Sequence, residues 1–335
     1  MINRRSLLKA AAASALCVPF VARAQAQSQF SFRWGCGLPS SHPGIIRGNE
    51  ACASILEKSG GRVKIQLFPD NQLGGDSDML ALVRSGGLDI YTGAATTLGP
   101  LVPVAGIITT AFAFGSEADG WKALDGDLGK IVRDAIAGAN LYTFERLWGQ
   151  GFRQITMKNK PINAPADLVG VKMRVPTSPM LLSLFKALGA SPTSMNVSEL
   201  YTALQTGLVD GEENTLSIIR TRNFNEVQKY CSLSNHAWDV NIQVMNLDTW
   251  NGLPDELKTV VANGMNEAGL KQRDDVLKLN NSLQSELAGL GMVFNNPDIA
   301  PFRAQLKSAG FYNEWRNTFG KPAWDTLEHY TGPLA

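Results

Sequence analysis

Two stretches of this chain, 63–91 and 171–210, follow one plan, and that plan restricts the fold more than any other feature. In the first, Val63-Lys64-Ile65-Gln66-Leu67 alternates apolar and polar residues after Gly60-Gly61. A period of two is the mark of a half-buried strand. A helix capped by Asp76 or Ser77 then runs through Val83 and stops at Gly86-Gly87, ahead of a short strand at Leu88-Asp89-Ile90-Tyr91. In the second stretch Val171–Val175 alternates after Gly170, and a helix from Ser198 leads through Gly207 to Leu208-Val209-Asp210. Strand, helix, glycine stop and strand, written twice, predict two similarly built α/β lobes with a ligand held at their interface. Phe30–Trp34 reads as a further strand, and a helix follows Ser41-His42-Pro43 with Ser41 as its cap. From Asp255 to about Leu290 the chain carries no proline and reads as one long helix started by Pro254. A helix of that length predicts a brace along both lobes.

Residues 1–26 read as an export signal: Arg4, Arg5 and Lys9 precede an apolar run from Ala10 to Ala22. That run is too short to span a hydrocarbon core of roughly 30 Å. Asn3-Arg4-Arg5-Ser6-Leu7-Leu8-Lys9 resembles a twin-arginine signal, and cleavage is expected near residue 24 or 26, with the periplasm as destination. Of the 31 Lys and Arg residues, Arg4, Arg5, Lys9 and Arg23 lie in the signal, so the remainder carries 27 against 30 acids. A net charge of −3 argues against nucleic acid as a partner, which needs a basic face. Cys36, Cys52 and Cys231 show no spacing that selects a pair, leaving free thiols or one disulfide open.

Signatures of phosphate-binding loops, zinc proteases and serine hydrolases are missing. His42, His236 and His329 are too scattered for a local metal motif, and no cofactor is expected. The informative stretch is 148–214. Arg153 sits among aromatics and glycines in Trp148-Gly149-Gln150-Gly151-Phe152-Arg153. Arg174 shares a strand face with Lys172 by period two, and lies near the strand's carboxyl end before Pro176-Thr177-Ser178-Pro179. Open α/β sheets place ligands at that end. A guanidinium fork matches a carboxylate with two parallel hydrogen bonds, which lysine cannot do.

The runs Gly151-Phe152-Arg153-Gln154-Ile155-Thr156, Pro165 to Pro176 and Tyr201 to Gly207, with Asp210-Gly211-Glu212-Glu213-Asn214, resemble the DctP-type solute receptors of TRAP transporters. The likeness extends to Gly61-Arg62-Val63, Gln72-Leu73-Gly74 and Glu226–Tyr230, nearly the whole chain after the signal. It implies an α/β, two-lobed periplasmic binding protein with a mixed sheet in each lobe and no enzymatic activity. Lobe I is expected at 27–150 plus about 240–280, and lobe II at 151–239 plus about 281–335. It implies that Arg174 grips a ligand carboxylate, with Arg153, Asn214 and His236 adding contacts. Gln150 stands beside them, and Trp148 and Trp238 either wall the pocket or fill the core. The implied ligands are sugar acids, dicarboxylates, 2-oxo acids or aromatic acids, passed to a permease of one small and one large membrane subunit driven by an ion gradient.

Gly149, Gln150 and Met157 depart from the pattern of many relatives, where acidic or asparagine side chains stand, and predict a roomier, less polar pocket. Two other readings remain: an exported enzyme using Glu212, Glu213 or His236 as general base, and a sensor subunit that reports ligand to a membrane kinase.

Overall fold

The computed structural model describes residues 28–334; the export signal expected at 1–26 lies outside them. In chain order the first unit is β1 (Phe30–Cys36), α1 (Pro43–Lys58), β2 (Val63–Phe68), α2 (Asp76–Ser85) and β3 (Ile90–Ala94). Then come α3 (Ala95–Leu98), α4 (Glu117–Leu124), α5 (Asp127–Gly138), β4 (Leu141–Thr143) and β5 (Trp148–Met157). The second unit repeats the first as β6 (Lys172–Val175), α6 (Pro179–Ala187), β7 (Ser191–Ser194), α7 (Val197–Thr206) and β8 (Gly211–Thr215). After α8 (Leu216–Thr221), β9 (Tyr230–Asn246) returns to the first lobe, where α9 (Leu247–Asn251) follows it. The chain closes with α10 (Asp255–Gly289), β10 (Val293–Asn295), α11 (Ala300–Ser308), α12 (Phe311–Phe319) and α13 (Lys321–Thr331).

The repeat visible in the sequence is a repeat of topology. In each lobe a central strand, β1 or β6, has parallel neighbours on both sides: β2 and β3 in one, β7 and β8 in the other. The two lobes are not separate sheets. β3 pairs antiparallel with β9, β9 with β5, and β5 with β8, so the strand path runs β2-β1-β3-β9-β5-β8-β6-β7 in one mixed sheet. α1 begins on Pro43 as expected, but its cap is His42, whose Nδ1 accepts from Gly44 N at 3.0 Å, rather than Ser41. α2 and α7 each stop at a left-handed glycine, Gly86 and Gly207. An L side chain meets steric resistance there and glycine does not.

α10 braces both lobes, packing on α1 on one side and on β5 and α8 on the other. Its side chains hold the backbone where β5 crosses between lobes. Gln272 accepts from Gly149 N at 2.6 Å and donates to Gly149 O at 2.9 Å. Asn280 donates to Gln150 O at 3.1 Å and accepts from Ser217 N at 3.2 Å. The carboxy-terminal helices divide: α11 packs on α6, α12 touches α6 and the turn at Pro103–Thr109, and α13 packs on α4 and α5. The tail therefore straddles both lobes, and α13 buries Trp324 and Leu327 against the first, where 281–335 was expected on the second. Cys36, Cys52 and Cys231 are free thiols.

Candidate functional site

The carboxyl ends of β1, β3, β6 and β8 converge on one cleft. It is lined by Gly37 and Leu38 after β1, Thr92–Ala94 at the end of β3, Arg174 and Pro176 at the end of β6, and Asn214 on β8. The empty space between the walls is about 510 Å³, counted out to its solvent-open mouth. Parallel strands bring their loops to this edge, which is why two repeated units facing each other enclose a site.

Two arginines sit side by side here in opposite circumstances. Arg153 is 2% exposed and fully engaged: Nε donates to Glu213 Oε2 at 2.5 Å, Nη2 to Glu213 Oε1 at 2.9 Å, and Nη1 to Asp239 Oδ2 at 2.9 Å. Burial alone would lower its pKa, but Glu213 and Asp239 outweigh burial and hold it above its ordinary value. Arg174 is equally buried, yet its Nε and Nη2 donate to a single oxygen, the carbonyl of Met195, at 3.0 and 2.6 Å. It has no ion-pair partner among the described residues. Burial pushes its guanidinium down to about 10, with Glu212 and Glu213 acting in the opposite sense from a distance. The end of the fork, Nη1 with the second hydrogen of Nη2, has no hydrogen-bond partner among the described residues. A buried cation without a counter-ion is costly, and an incoming carboxylate removes that cost.

Behind the arginines lies a satisfied network. His236 Nε2 meets Glu213 Oε2 at 3.0 Å and its Nδ1 meets Ser234 Oγ at 2.8 Å. Burial lowers the pKa of His236, whereas Arg153 and His236 overcome burial to lower that of Glu213. Asn214 donates to Glu212 Oε2 at 2.8 Å, and Thr156 donates to Glu212 Oε1 at 2.6 Å. Burial raises the Glu212 carboxyl to about 6. Asp239 joins the lobes, because it also accepts from Ala95 N and Thr96 Oγ1, each at 3.1 Å.

Arg174, Arg153, Asn214 and Gln150 all reach the cleft. Gln150 does so through a bulge: Gly149 pairs with Val240 and Gly151 with Asp239, leaving Gln150 as the extra residue of β5. Bulges re-aim side chains. Its Oε1 is buried without a hydrogen-bond partner. His236 is not on the cleft wall; an irregular stretch of β9 before Ala237 turns it behind Glu213. Trp148 and Trp238 are also absent from the wall and belong to the core. Trp148 packs edge-on against Trp34 at 5.8 Å and donates to Met265 O, while Trp238 is wedged between Phe114 and Trp121. The two indoles fill separate parts of the core, Trp148 with Trp34 and Met265 and Trp238 with the larger cluster that holds Phe114.

Gly149 and Met157 do not line the cleft, and Asp76, Thr92, Thr97, Arg222 and Asn241 do. Asp76, expected only as a helix cap, is the first residue of α2 and turns its Oδ1 to the Tyr91 hydroxyl at 3.1 Å. Arg222 follows α8 and reaches across the cleft, donating through Nη2 to Gly37 O and, at 3.1 Å, to Asn71 Oδ1. No group of acidic, histidine or cysteine side chains suited to a metal ion occurs among the described residues.

The profile of the DctP family, bacterial extracellular solute-binding protein family 7, matches residues 37–314. The 2,3-diketo-L-gulonate-binding periplasmic protein YiaO of Escherichia coli K12 is 34% identical over 65% of this chain and 66% of its own length. The sialic acid-binding periplasmic protein SiaP of Vibrio cholerae is 32% identical over 80% of this chain and 83% of its own. A TRAP periplasmic solute-binding protein from Roseobacter denitrificans, solved with bound β-D-glucuronate, superposes with a TM-score of 0.85 at 30% identity, covering 90% of this chain and 99% of that one. By profile, relatives and fold, the chain belongs to the DctP family of bacterial extracellular solute-binding proteins.

Proposed function

We propose that this protein is a periplasmic receptor that captures a small organic acid by its carboxylate at Arg174. It then delivers the acid to the small and large membrane subunits of a TRAP permease, which takes it up on an ion gradient. One observation carries the reading: Arg174 is buried at the end of β6 with half of its fork unused and no ion pair to a carboxylate among the described residues. Arg153 orients the wall through Glu213 and Asp239, and Asn214 and Gln150 offer further polar contacts. Closing the lobes around the acid excludes water and strengthens these bonds. Relatives that bind sialic acid and diketogulonate, and one solved with glucuronate, support an acid as ligand.

A receptor is favoured over an enzyme by the state of the three candidate bases. Glu212, Glu213 and His236 are each held by neighbouring side chains, and none lines the cleft. Thermal-shift screening of the protein freed of residues 1–26 against an organic-acid panel, followed by calorimetry, tests the proposal. Stoichiometric binding of an acid, returned unchanged, is the expected result. Turnover of the bound acid, or the absence of any stabilising acid, refutes it.

A further inference from the structure

The two lobes touch at the mouth of the cleft as well as along the strands that join them. On the first lobe both contacts fall at the ends of one loop, residues 69–75, between β2 and α2. Asn71, at φ +58°, is pinned by its N–H to Cys36 O at 3.1 Å and by Nδ2 to Gly74 O at 3.3 Å. Its side-chain oxygen is thereby held beside the carbonyl of Gly37, the residue after β1. Arg222, from the second lobe, donates through Nη2 to Gly37 O and, at 3.1 Å, to Asn71 Oδ1. At the other end of the loop, Asn196 holds the N-cap position of α7 but makes no side-chain cap bond there. Its Oδ1 accepts instead from Ser77 N and Oγ of α2, at 3.5 and 3.4 Å. The fit is close: a Cβ on Gly75 would stand 3.1 Å from Asn196 Nδ2.

These contacts differ from the ligand anchor in kind. Every partner is a protein atom, so they favour the closed form before a ligand adds its share. Arg222 makes the stronger of them, because a hydrogen bond from a charged donor outweighs a neutral one. Asp70 and Asp76, both on the first lobe, add attraction from a distance. Its acceptors are uncharged oxygens that water can satisfy once the lobes part, so opening strands no buried charge.

We propose that Arg222 is a latch. By gripping Gly37 and the 69–75 loop it holds the mouth shut, so the lobes close and reopen on their own and a ligand meets an equilibrium that already contains the closed form. The inference rests on the receptor reading only in taking lobe closure as the working motion. It goes beyond that reading by giving closure a source in the protein itself.

Single-molecule fluorescence transfer tests this with no ligand added. Dyes on Asn49→Cys of α1 and Thr202→Cys of α7, both exposed, report the closed-to-open ratio in a Cys52→Ser background that removes the half-buried thiol. The unsubstituted latch is expected to show both populations. Arg222→Met is expected to lower the closed-to-open ratio about 10-fold, and Asn71→Gly, which tolerates the positive φ, about 5-fold. Asn71 does not line the ligand space, so its variant reads the latch alone. The double variant should open no further than Arg222→Met, because the two residues share one contact. The absence of a closed population with the latch intact, a ratio unmoved in either single variant, or additive effects in the double variant overturns the inference. Such a result leaves the receptor reading standing, whereas an acid panel without a binder refutes that reading and not the latch.

Discussion

Arg174 and Met195 are joined by a forked contact in which Nε and Nη2 of the arginine converge on one carbonyl oxygen, at 3.0 and 2.6 Å. The contact aims the guanidinium without neutralising it. Arg174→Ala is therefore expected to lose about 30- to 5,000-fold in ligand affinity, the range for truncating one partner of a buried charge pair. Arg174→Lys keeps a charge but loses the fork and is expected to recover little of it. The ligand-free stability of Arg174→Met should equal or exceed that of wild type, because an uncompensated buried cation is gone. Titration calorimetry and thermal melts read the two effects separately, and a variant with full affinity contradicts the anchor.

Arg153 predicts the opposite pattern. Its removal strands Glu213 and Asp239, both fully buried. Arg153→Met is expected to cost about 3–5 kcal/mol of folding stability. Adding Glu213→Gln should restore part of that loss. Denaturant midpoints check both, and a single variant as stable as wild type contradicts the arrangement.

Ligand affinity should depend on pH through Glu212. Burial raises this carboxyl to about 6, and its charge is felt at Arg174. Above that pH Glu212 is ionised and competes with the ligand's carboxylate for the same cation. Binding then favours protonated Glu212, so affinity rises as pH falls from about 8 through 6, with protons taken up. Calorimetry near pH 6.5 in buffers of different ionisation enthalpy measures the uptake. Glu212→Gln is expected to flatten the profile, and an unchanged profile in that variant disproves the assignment.

Gln272 holds both backbone groups of Gly149 at the crossing of β5. In Gln272→Ala the carbonyl of Gly149 keeps Asn241 Nδ2 at 3.1 Å, but its N–H is stranded. A loss of about 1–3 kcal/mol is expected. Amide exchange at Gly149 should quicken more than at Ile65 in β2, and equal protection at both positions speaks against α10 as the clamp.

Much of the plan was legible because periodicity and glycine stops are local. α10 was readable from Pro254 and the absence of proline behind it, and it spans Asp255–Gly289. Arg174 was readable from its place before Pro176, and the unbroken register of β6 on β7 keeps it on one face with Lys172, as period two predicts. Lys172 is exposed, while Met173, Arg174 and Val175 are all buried where β6 enters the cleft. Trp148, Trp238 and His236 were not separable from ligand contacts by sequence, because which face of β5 and β9 meets the cleft depends on two register shifts. Asp76 and Arg222 were missed for another reason. They stand far apart in the chain, and only the meeting of the two lobes makes them neighbours of one space.

The pairing of β3 with β9 also bears on how the molecule comes to be folded. Ile90 waits for Met245, and Trp148 for Asn241, so the first lobe has a bare strand edge until nearly three-quarters of the chain exists. Such distant pairings make for slow folding. During synthesis the first lobe is therefore an unfinished, adhesive body, and completion of either lobe is tied to completion of both.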